Sequence, residues 1–270
     1  MATNFWIVDT LSPELLHGNP SAVFLVDTFK DQDLLQNVAM EINTPETIFA
    51  QKLSDDHFTC QCFSPKSHDV DFGNGIFALA KVVAHQDPSL KEFKATLSQK
   101  TIIVRLLDDG SIQLQYDKVT IRKTVMPANL HSALNGELVV SVAECDGDLI
   151  VEIRSPKKLL NLNPSIDILG NIVRYNSFII TTDTHYEFDM PYDFCVKVLA
   201  PKLGIFRGIM TPISCVKLAS YWAQRMGKTT FIASQSSRDK ECKANIISDG
   251  AHVLLTSNCV IVAEGEILAF

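Results

Sequence analysis

Glu46 is the residue of this sequence best suited to proton transfer. It directly precedes an alternating apolar segment, "TIFA" at 47–50. Apolar surroundings disfavour the charged form of a carboxylic acid and raise its pKa toward neutrality, where general acid–base catalysis is most effective. A single carboxyl group of this kind can remove a proton from one face of a substrate and return it to a neighbouring carbon. The structural alternative is a solvated glutamate at the end of a strand.

A turn of small or turn-forming residues, Gly73, Asn74 and Gly75, leads into an apolar helix in the stretch "FGNGIFALAKVV" at 72–83. The first N–H groups of a helix lack intrahelical partners, and the helix dipole adds positive charge there, so such a turn favours an anion. The turn therefore predicts a binding position for a small carboxylate. Alternatively, it is a tight corner under a buried helix.

The second half of the chain repeats features of the first. The segments "FTCQCFSPK" (58–66) and "FCVKVLAPK" (194–202) share Phe, Pro and Lys at a constant offset. A small-residue turn and a helix follow in both halves, and the second helix begins with Ser214 and Cys215 in "SCVKLASYWAQRM" (214–226). Duplication of one unit, with an insertion, explains these similarities.

The strand-rich pattern around one nearly all-apolar helix per half predicts an α+β fold of two lobes, because a helix without a polar face must be buried. We assign residues 1–122 to the N-terminal lobe and 123–270 to the C-terminal lobe, and the last strand can belong to either. A cleft between the lobes would present both helix N-termini to one ligand. The predicted strands cover 5–9, 22–25, 44–51, 58–65, 101–107 and 112–116, and the predicted helices cover 31–42, 73–85 and 214–226.

Composition excludes several classes of protein. The 24 Lys and Arg residues against 31 Asp and Glu give a net charge of -7, which repels nucleic acid and anionic membranes. The N-terminus lacks the pattern of a signal peptide and no apolar run is long enough to span a membrane, so we expect a cytoplasmic protein. Seven cysteines without a C-x-x-C pair predict reduced, buried thiols, and seven dispersed histidines predict no metal site.

An ordered set of motifs resembles the phenazine-biosynthesis PhzF-like family over essentially the full length. The motifs are "GNPSAVF" (18–24), "PETIFA" (45–50), "FSPK" (63–66), "GNGIFALA" (73–80), "APKLGI" (200–205), "SYWAQRMGK" (220–228) and "SQSSRD" (234–239). The resemblance implies the diaminopimelate epimerase-like fold, in which two pseudo-symmetric lobes each wrap a β-barrel-like sheet around a central helix. It also implies a homodimer that works without a cofactor at a site between the lobes. The best-known activity of the family is the isomerisation of a dihydro-hydroxyanthranilate.

The resemblance assigns roles to residues of the first half. Glu46 falls on the family's catalytic glutamate, which shuttles a proton between carbons of the substrate. Asn19 falls on the asparagine of the G-N-P motif. Gly73 and Asn74 lie where the family has Gly-His, so the histidine is replaced here by an amide, which does not titrate near neutral pH.

In the second half, "MTPISCVK" (210–217) stands where the family has an E-D-P-V-T-G-S-A turn. Thr211 then takes the place of the aspartate, Cys215 of the glycine and Val216 of the serine. A threonine hydroxyl is a poor acid or base at neutral pH, but it can hold a carboxylate or carbonyl by a hydrogen bond. Cys215 stands at the start of a helix, where a thiolate would be stabilised, yet its expected burial favours an inert thiol.

The sequence thus predicts an isomerase-like, cofactor-independent enzyme that acts on a small anionic or cyclic metabolite, with Glu46 as the general acid/base. The residues expected to bind this substrate are Asn19, Gly73, Asn74, Gly75, Thr211, Ser214 and Cys215. Two alternatives remain open, because a shared fold does not fix function. One is a catalytically decayed family member that binds a ligand or a protein. The other is a lyase or cyclase that uses the same cleft.

Overall fold

The computed structural model describes residues 3–68, 70–186 and 190–268 of the chain. The chain divides into two compact units: unit 1 comprises Met1–Tyr116 with Leu254–Phe270, and unit 2 comprises Asp117–Val253. Unit 2 is therefore an insertion between the two segments of unit 1.

Most strands of unit 1 lie in its first segment, Met1–Tyr116. These are β1 (Thr3–Thr10), β2 (Asn19–Leu25), β3 (Glu46–Ser54), β4 (His57–Ser64), β5 (Ser67–His68), β6 (Glu92–Leu97), β7 (Lys100–Leu106) and β8 (Ile112–Asp117), with helices α1 (Gln32–Ile42) and α2 (Asn74–Gln86). Helix α1 is capped by the Asp31 side chain, which accepts the Asp33 N–H. The strands and helices predicted for this half are confirmed within a few residues at each end.

Unit 2 is a second α+β assembly. Its elements are β9 (Arg122–Lys123), α3 (Leu130–Ala133), β10 (Val139–Cys145), β11 (Asp148–Ile153), α4 (Pro156–Asn161), α5 (Ile166–Gly170), β12 (Ser177–Asp183), β13 (Phe194–Ala200), β14 (Ile205–Ile209), α6 (Pro212–Met226), β15 (Thr230–Gln235) and β16 (Lys243–Asp249). Short 3₁₀ turns cover Thr184–Tyr186 and Pro201–Leu203. Strand β17 (His252–Ser257) crosses the boundary, and β18 (Cys259–Ile267) belongs to unit 1.

The boundary between the units differs from the predicted position at 122/123. Strand β8 still pairs with β7 of unit 1, and the Lys118 N–H immediately after it donates to Ala251 O of unit 2. The switch between units therefore lies where β8 ends. At the other end of the chain, β18 pairs antiparallel with β1 along its whole length, which places the last strand in unit 1.

The two units share one order of strand pairing. In unit 1, β1–β2 is antiparallel, β2–β3 parallel, β3–β4 and β4–β5 antiparallel, β4–β6 parallel and β6–β7 antiparallel. In unit 2 the same sequence of directions runs through β10–β11, β11–β12, β12–β13, β13–β14, β13–β15 and β15–β16. Most of the "FTCQCFSPK" and "FCVKVLAPK" segments lies on β4 and β13, which are equivalent in this order, and the Pro and Lys of each segment follow the strand. The predicted duplication is confirmed.

Helix α2 is the buried centre of unit 1, as the absence of a polar face predicts. It packs against β1, β2 and β3 and is buried from Asn74 through Ala80 and again at Val82 and Val83. The other face of β2–β4 is covered by α1, whose Leu35 contributes to a cluster with the aromatic residues of these strands. Since both faces of β2 and β3 are covered, several consecutive residues of these two strands are buried, without the alternation of a strand that has one face in solvent.

Helix α6 of unit 2 differs from the apolar helix that was predicted. Lys217, Tyr221 and Arg225 form a row along it, since residues four apart share one face. Lys217 Nζ lies 2.6 Å from Asp148 Oδ2, while Tyr221 Oη and Arg225 Nε lie 2.6 and 3.0 Å from Glu152 Oε2. The helix is still buried because these polar groups are paired with β11. In the ranges that the structure describes, no helix is both long and apolar enough to cross a bilayer.

Candidate active site

Glu46 is the first residue of β3, and its side chain is fully buried. Its carboxylate lies at the N-terminus of α2, where the Gly75 N–H donates to Oε2 at 2.8 Å. The Phe72 N–H donates to Oε1 at 3.3 Å. Each carboxylate oxygen is thus held by one backbone amide. The anion bound by this small-residue turn is therefore a carboxylate of the same chain.

Two glycines allow this arrangement, for different reasons. Gly73 is the N-cap of α2 and has a φ of 83°, a left-handed conformation that favours glycine. Gly75 permits close approach, because a Cβ there would lie 3.2 Å from Glu46 Cδ and 3.3 Å from Cys62 Sγ. The glycines thus bring the first turn of α2 onto the carboxylate.

Burial raises the pKa of Glu46 to about 7. The Gly75 and Phe72 N–H groups favour the charged form and lower the pKa, while the negative charge of Asp71 raises it. The thiol of Cys62, on β4, also hydrogen-bonds the carboxyl group. Desolvation exceeds the opposing hydrogen bonds, so Glu46 can both bind and release a proton near neutral pH.

Asn19 and Asn74 are joined to this region through Thr10, the last residue of β1. Thr10 Oγ1 lies 3.0 Å from the Asn19 carbonyl oxygen and 3.1 Å from Asn74 Oδ1, and all three residues are buried. The hydroxyl ties the first turn of α2 to the ends of β1 and β2. Sequence reasoning missed Thr10, although the antiparallel pairing of the first two predicted strands would place it opposite Asn19.

Thr211, Ser214 and Cys215 lie together at the N-terminus of α6. Thr211 Oγ1 accepts the Ser214 N–H at 3.0 Å, and Ser214 Oγ accepts the Thr211 N–H at 3.1 Å. The Cys215 N–H donates to the Thr211 carbonyl oxygen at 3.0 Å. These polar groups form a capping box, with serine in the position where glutamate or glutamine is usual. They satisfy the end of their own helix.

The Cys215 thiol is fully buried, and burial raises its pKa to about 12. A thiol with such a pKa stays protonated at neutral pH and is a poor nucleophile. The arrangement favours the inert interpretation of this cysteine.

The site residues expected from the sequence thus fall into two groups. Unit 1 brings together Glu46, Asn19, Gly73, Asn74 and Gly75, whereas Thr211, Ser214 and Cys215 belong to unit 2. Three further residues of unit 1 adjoin Glu46 and were not singled out as site residues: Asp71, Cys62 and Ser21. Within the described part of the chain, no group of three or more His, Cys, Asp or Glu side chains could hold a metal ion.

The sequence matches a known protein family over most of its length. The family model for the phenazine biosynthesis-like protein matches residues 8–265. A protein named as an uncharacterized isomerase of Halalkalibacterium halodurans is 28% identical over 272 residues, which cover 99% of both chains. The human phenazine biosynthesis-like domain-containing protein is 25% identical over 296 residues, covering 100% of both.

Solved structures show the same fold. A PhzF family protein from Enterococcus faecalis has a TM-score of 0.85 at 22% identity and covers 99% of both chains. A hydroxyproline epimerase from Agrobacterium vitis has a TM-score of 0.62 at 9% identity, covering 98% of this chain and 92% of that one. The α+β, epimerase-like fold predicted from the motifs is confirmed. Since the family model spans nearly the whole sequence, the chain belongs to the phenazine biosynthesis-like (PhzF) family.

Proposed function

We propose that this protein is a cofactor-independent isomerase that moves a proton between carbon atoms of a small anionic or cyclic metabolite, with Glu46 as the general acid/base. The observation that carries the proposal is the fully buried Glu46 carboxyl group, which two backbone N–H groups hold in place. Burial raises the pKa of this group to about 7. The name of the relative from Halalkalibacterium halodurans, an uncharacterized isomerase, agrees with this type of reaction.

The reaction needs one group that alternates between base and acid. Deprotonated Glu46 takes a proton from a carbon next to a carbonyl or a double bond, and the electron pair of that C–H bond shifts into the adjacent π system. Protonated Glu46 then returns the proton to a neighbouring carbon, so no atom is gained or lost and nothing is oxidised. The Phe72 and Gly75 N–H groups fix the carboxylate throughout and limit the reorganisation required.

The asparagine side chains near Glu46 are suited to orientation rather than proton transfer. Amides do not titrate near neutral pH, but they donate and accept hydrogen bonds. We assign Asn19 and Asn74 to contacts with polar groups of the substrate. The backbone N–H groups of Thr211, Ser214 and Cys215 are already bonded in the capping of α6, so these residues receive no role in the reaction. With Glu46 as the titrating group, one carboxyl serves both half-reactions.

Ligand binding without turnover is the second candidate function. It is favoured by the side chains that replace the family's histidine and aspartate, because Asn74 contacts Thr10 and Thr211 caps α6. Neither side chain can act as an acid at neutral pH. Such a protein would bind a small anion in the absence of any exchange chemistry.

A deuterium-exchange assay separates these candidates. The purified protein is incubated in D₂O with a panel of hydroxy, keto and unsaturated cyclic carboxylic acids, and deuterium incorporation is followed by NMR and mass spectrometry. We expect incorporation into at least one acid, its loss in Glu46→Gln, and its retention in Glu41→Gln, which changes an exposed glutamate of α1. Incorporation that persists in Glu46→Gln would exclude the proposed role. A ligand-dependent rise in Tm that is unaffected by Glu46→Gln, with no incorporation, would favour the binding function.

A further inference from the structure

Asp71 lies one peptide bond from a group that holds Glu46. The Phe72 N–H donates to Glu46 Oε1, and the Val70 N–H donates to the carbonyl oxygen of Cys62 on β4 at 3.2 Å. Hydrogen bonds on both sides of Asp71 therefore fix its backbone beside the buried carboxylate. The backbone of Asp71 cannot be displaced far without breaking one of them.

The Asp71 side chain lies between the buried site and the surface. It is 22% exposed, and its Oδ2 lies 3.5 Å from Nζ of Lys100 on β7, which is 72% exposed. Glu46 itself is fully buried. The three charged groups thus form a series from solvent to the interior: the exposed ammonium of Lys100, the partly buried carboxylate of Asp71, and the buried carboxyl of Glu46.

We propose that Asp71 is a positioning residue for proton transfer, which acts through Glu46 by placing a second negative charge beside it, and that Lys100 moderates this effect from the surface. The proposal rests on the proposed function of Glu46 for its catalytic meaning, but not for its physical test. Nearby negative charge favours the neutral form of a carboxylic acid, and a cation that pairs with that charge weakens the effect.

The surroundings of Glu46 support this assignment. Burial has the largest effect on the pKa of Glu46 and raises it, and the Gly75 hydrogen bond lowers it. The negative charge of Asp71 has the next largest effect and raises the pKa further. From β4, the titratable neighbour is Cys62, whose own pKa is raised well above its usual value, so it stays neutral. Thr10 of β1, Asn19 and Ser21 of β2 and residues 74–77 of α2 carry no ionisable side chain, and the buried Asp9 of β1 is not among the groups that shift the pKa of Glu46 most. Among the groups that shift the pKa of Glu46 most, Asp71 is the charged one.

The arrangement matters for the reaction because Asn74 supplies no second titratable group. A base with an ordinary carboxylic pKa would be fully ionised at neutral pH and would bind the abstracted proton too weakly. Asp71 makes protonation of Glu46 more favourable without touching the substrate. Lys100 links that property to the ionic strength of the solvent, since an exposed ion pair is screened by salt.

Carbon-13 NMR of the substrate-free protein tests the proposal. The side-chain carboxyl carbon of Glu46, labelled with ¹³C-glutamate and assigned by its absence in Glu46→Gln, is titrated from acid to alkaline pH. We expect Asp71→Asn to lower the titration midpoint by about 0.5 to 1 pH unit, in line with a nearby charge at a partly exposed site. Lys100→Gln should raise it by a smaller amount. The double variant should match Asp71→Asn, because the exposed Lys100 side chain is held near the site by its ion pair with Asp71 and extends into solvent without it.

A matched control is Lys91→Gln, which removes an exposed lysine from its ion pair with Asp108 and should leave the midpoint unchanged. A midpoint that does not fall in Asp71→Asn, or a Lys100→Gln shift that persists without Asp71, would overturn the proposal. Lys100→Gln alters only an exposed side chain, so it keeps the proposal testable even if Asp71→Asn does not fold, because a midpoint that stays unchanged or falls in this variant would also overturn it. The NMR titration requires no turnover, so a failure of the proposed isomerase activity would leave it intact. With a substrate, the pH profile of deuterium exchange should shift in the same directions.

Discussion

At the scale of single residues, two opposing effects set the pKa of Glu46, and one is larger than the other. Removal from water disfavours its negative charge, while the N–H groups of Phe72 and Gly75 favour it. In most carboxylates at helix N-termini the second influence dominates and the pKa falls. Here desolvation dominates, because the carboxyl group is fully buried and a second carboxylate lies nearby. The same N–H groups that bind an anion therefore hold a group that is protonated about half the time near pH 7.

The raised pKa of Glu46 predicts a specific dependence of stability on pH. The pKa is about 7 in the folded protein, against an ordinary value of 4.5. Between these values the folded state binds more protons than the unfolded state, so the stability contributed by Glu46 is complete below pH 4.5 and is lost as the pH rises through 7. The full change amounts to about 3 kcal/mol.

Glu46→Gln removes this titration. Urea unfolding at pH values from 4.5 to 8 should show the free energy of unfolding of the variant rising relative to wild type by about 3 kcal/mol across the range. Glu41→Gln, on the exposed face of α1, should follow the wild-type profile. Parallel profiles for wild type and Glu46→Gln would show that Glu46 titrates with the same pKa in both states.

Ser21 offers a second residue-level prediction. It is the register partner of Glu46 on β2, its Oγ is buried, and that atom has no hydrogen-bond partner among the described residues. A buried hydroxyl in this condition costs about 1 to 3 kcal/mol. Ser21→Ala should therefore raise the free energy of unfolding by about 1 kcal/mol, measured by chemical denaturation.

Ser64→Ala is the matched control, because Ser64 is equally buried but its Oγ accepts the N–H groups of Lys66 and Ser67. This substitution should lower the free energy of unfolding by about 1 kcal/mol. If Ser21→Ala and Ser64→Ala were equally destabilising, the Ser21 hydroxyl would have a partner in solution.

The sequence singled out Glu46 and Gly75 but did not indicate the bond between them. Apolar neighbours and a motif indicated Glu46, and the small-residue turn indicated an anion, as two separate features. In the structure these two features are joined by the hydrogen bond from the Gly75 N–H to Glu46 Oε2. The two residues are 29 positions apart, and a local sequence pattern does not predict a contact over that distance. Thr10 and Asp71 were missed for the same reason, since their importance arises only once β1, β4 and α2 are assembled.

At the scale of elements, the absence of a side chain at Gly75 allows α2 to lie close to β3. A Cβ at this position would lie 3.2 Å from both Glu46 Cδ and Ile48 Cβ, closer than ordinary van der Waals contact. Gly75→Ala should push the first turn of α2 away from β3, weaken the bond to Glu46, and lower the free energy of unfolding by about 1 to 3 kcal/mol. Thermal and urea denaturation measure this change.

Gly170→Ala, at the end of α5, provides the comparison. A Cβ there would lie 3.7 Å from Pro201 Cβ, an ordinary contact, so the stability should change little. Equal effects of the two substitutions would mean that the approach of α2 to β3 is not tight. A stable Gly75→Ala protein in which the Glu46 midpoint is unchanged would contradict the proposed bond.

The two central helices differ in how far their sequences predict them. The start of α2 follows from Gly73, and its burial follows from its apolar residues. Helix α6 begins at Pro212 rather than at Ser214, because Thr211 caps it in an unusual box. Its polar row was also unexpected, since Lys217 pairs with Asp148 at a separation of 69 residues. Short-range patterns report the faces of a helix, but not the charges on the strand it will meet.

At the scale of the whole molecule, duplication accounts for the similarity of the two units. The repeated Phe, Pro and Lys residues were sufficient to predict it, because the Phe residues lie on the equivalent strands β4 and β13 and the Pro and Lys residues directly follow these strands. The boundary was harder to predict. The sequence predicted a boundary at 122/123, whereas the change of unit occurs at the end of a regular strand, β8. Pairing between distant strands, rather than local irregularity, determines where a unit ends.

The burial of the cysteines predicts how fast their thiols react, which tests the packing within each of the two units. All seven cysteines are free and buried. For Cys60, Cys195 and Cys259, burial raises the pKa to about 12, which further suppresses the reactive thiolate. The native protein should therefore react only slowly with Ellman's reagent at pH 8. In guanidinium chloride seven thiols should react, with or without prior reduction.

Ser132→Cys supplies the positive control, since Ser132 is exposed on α3 and should add one rapidly reacting thiol to the native protein. Rapid reaction of a thiol in the unmodified native protein would show that one of the buried positions opens readily. A count below seven in guanidinium chloride that recovers after reduction would instead reveal a disulfide. Because the cysteines are distributed over both units, the rate at which each becomes reactive with increasing denaturant also reports whether the units unfold together or separately.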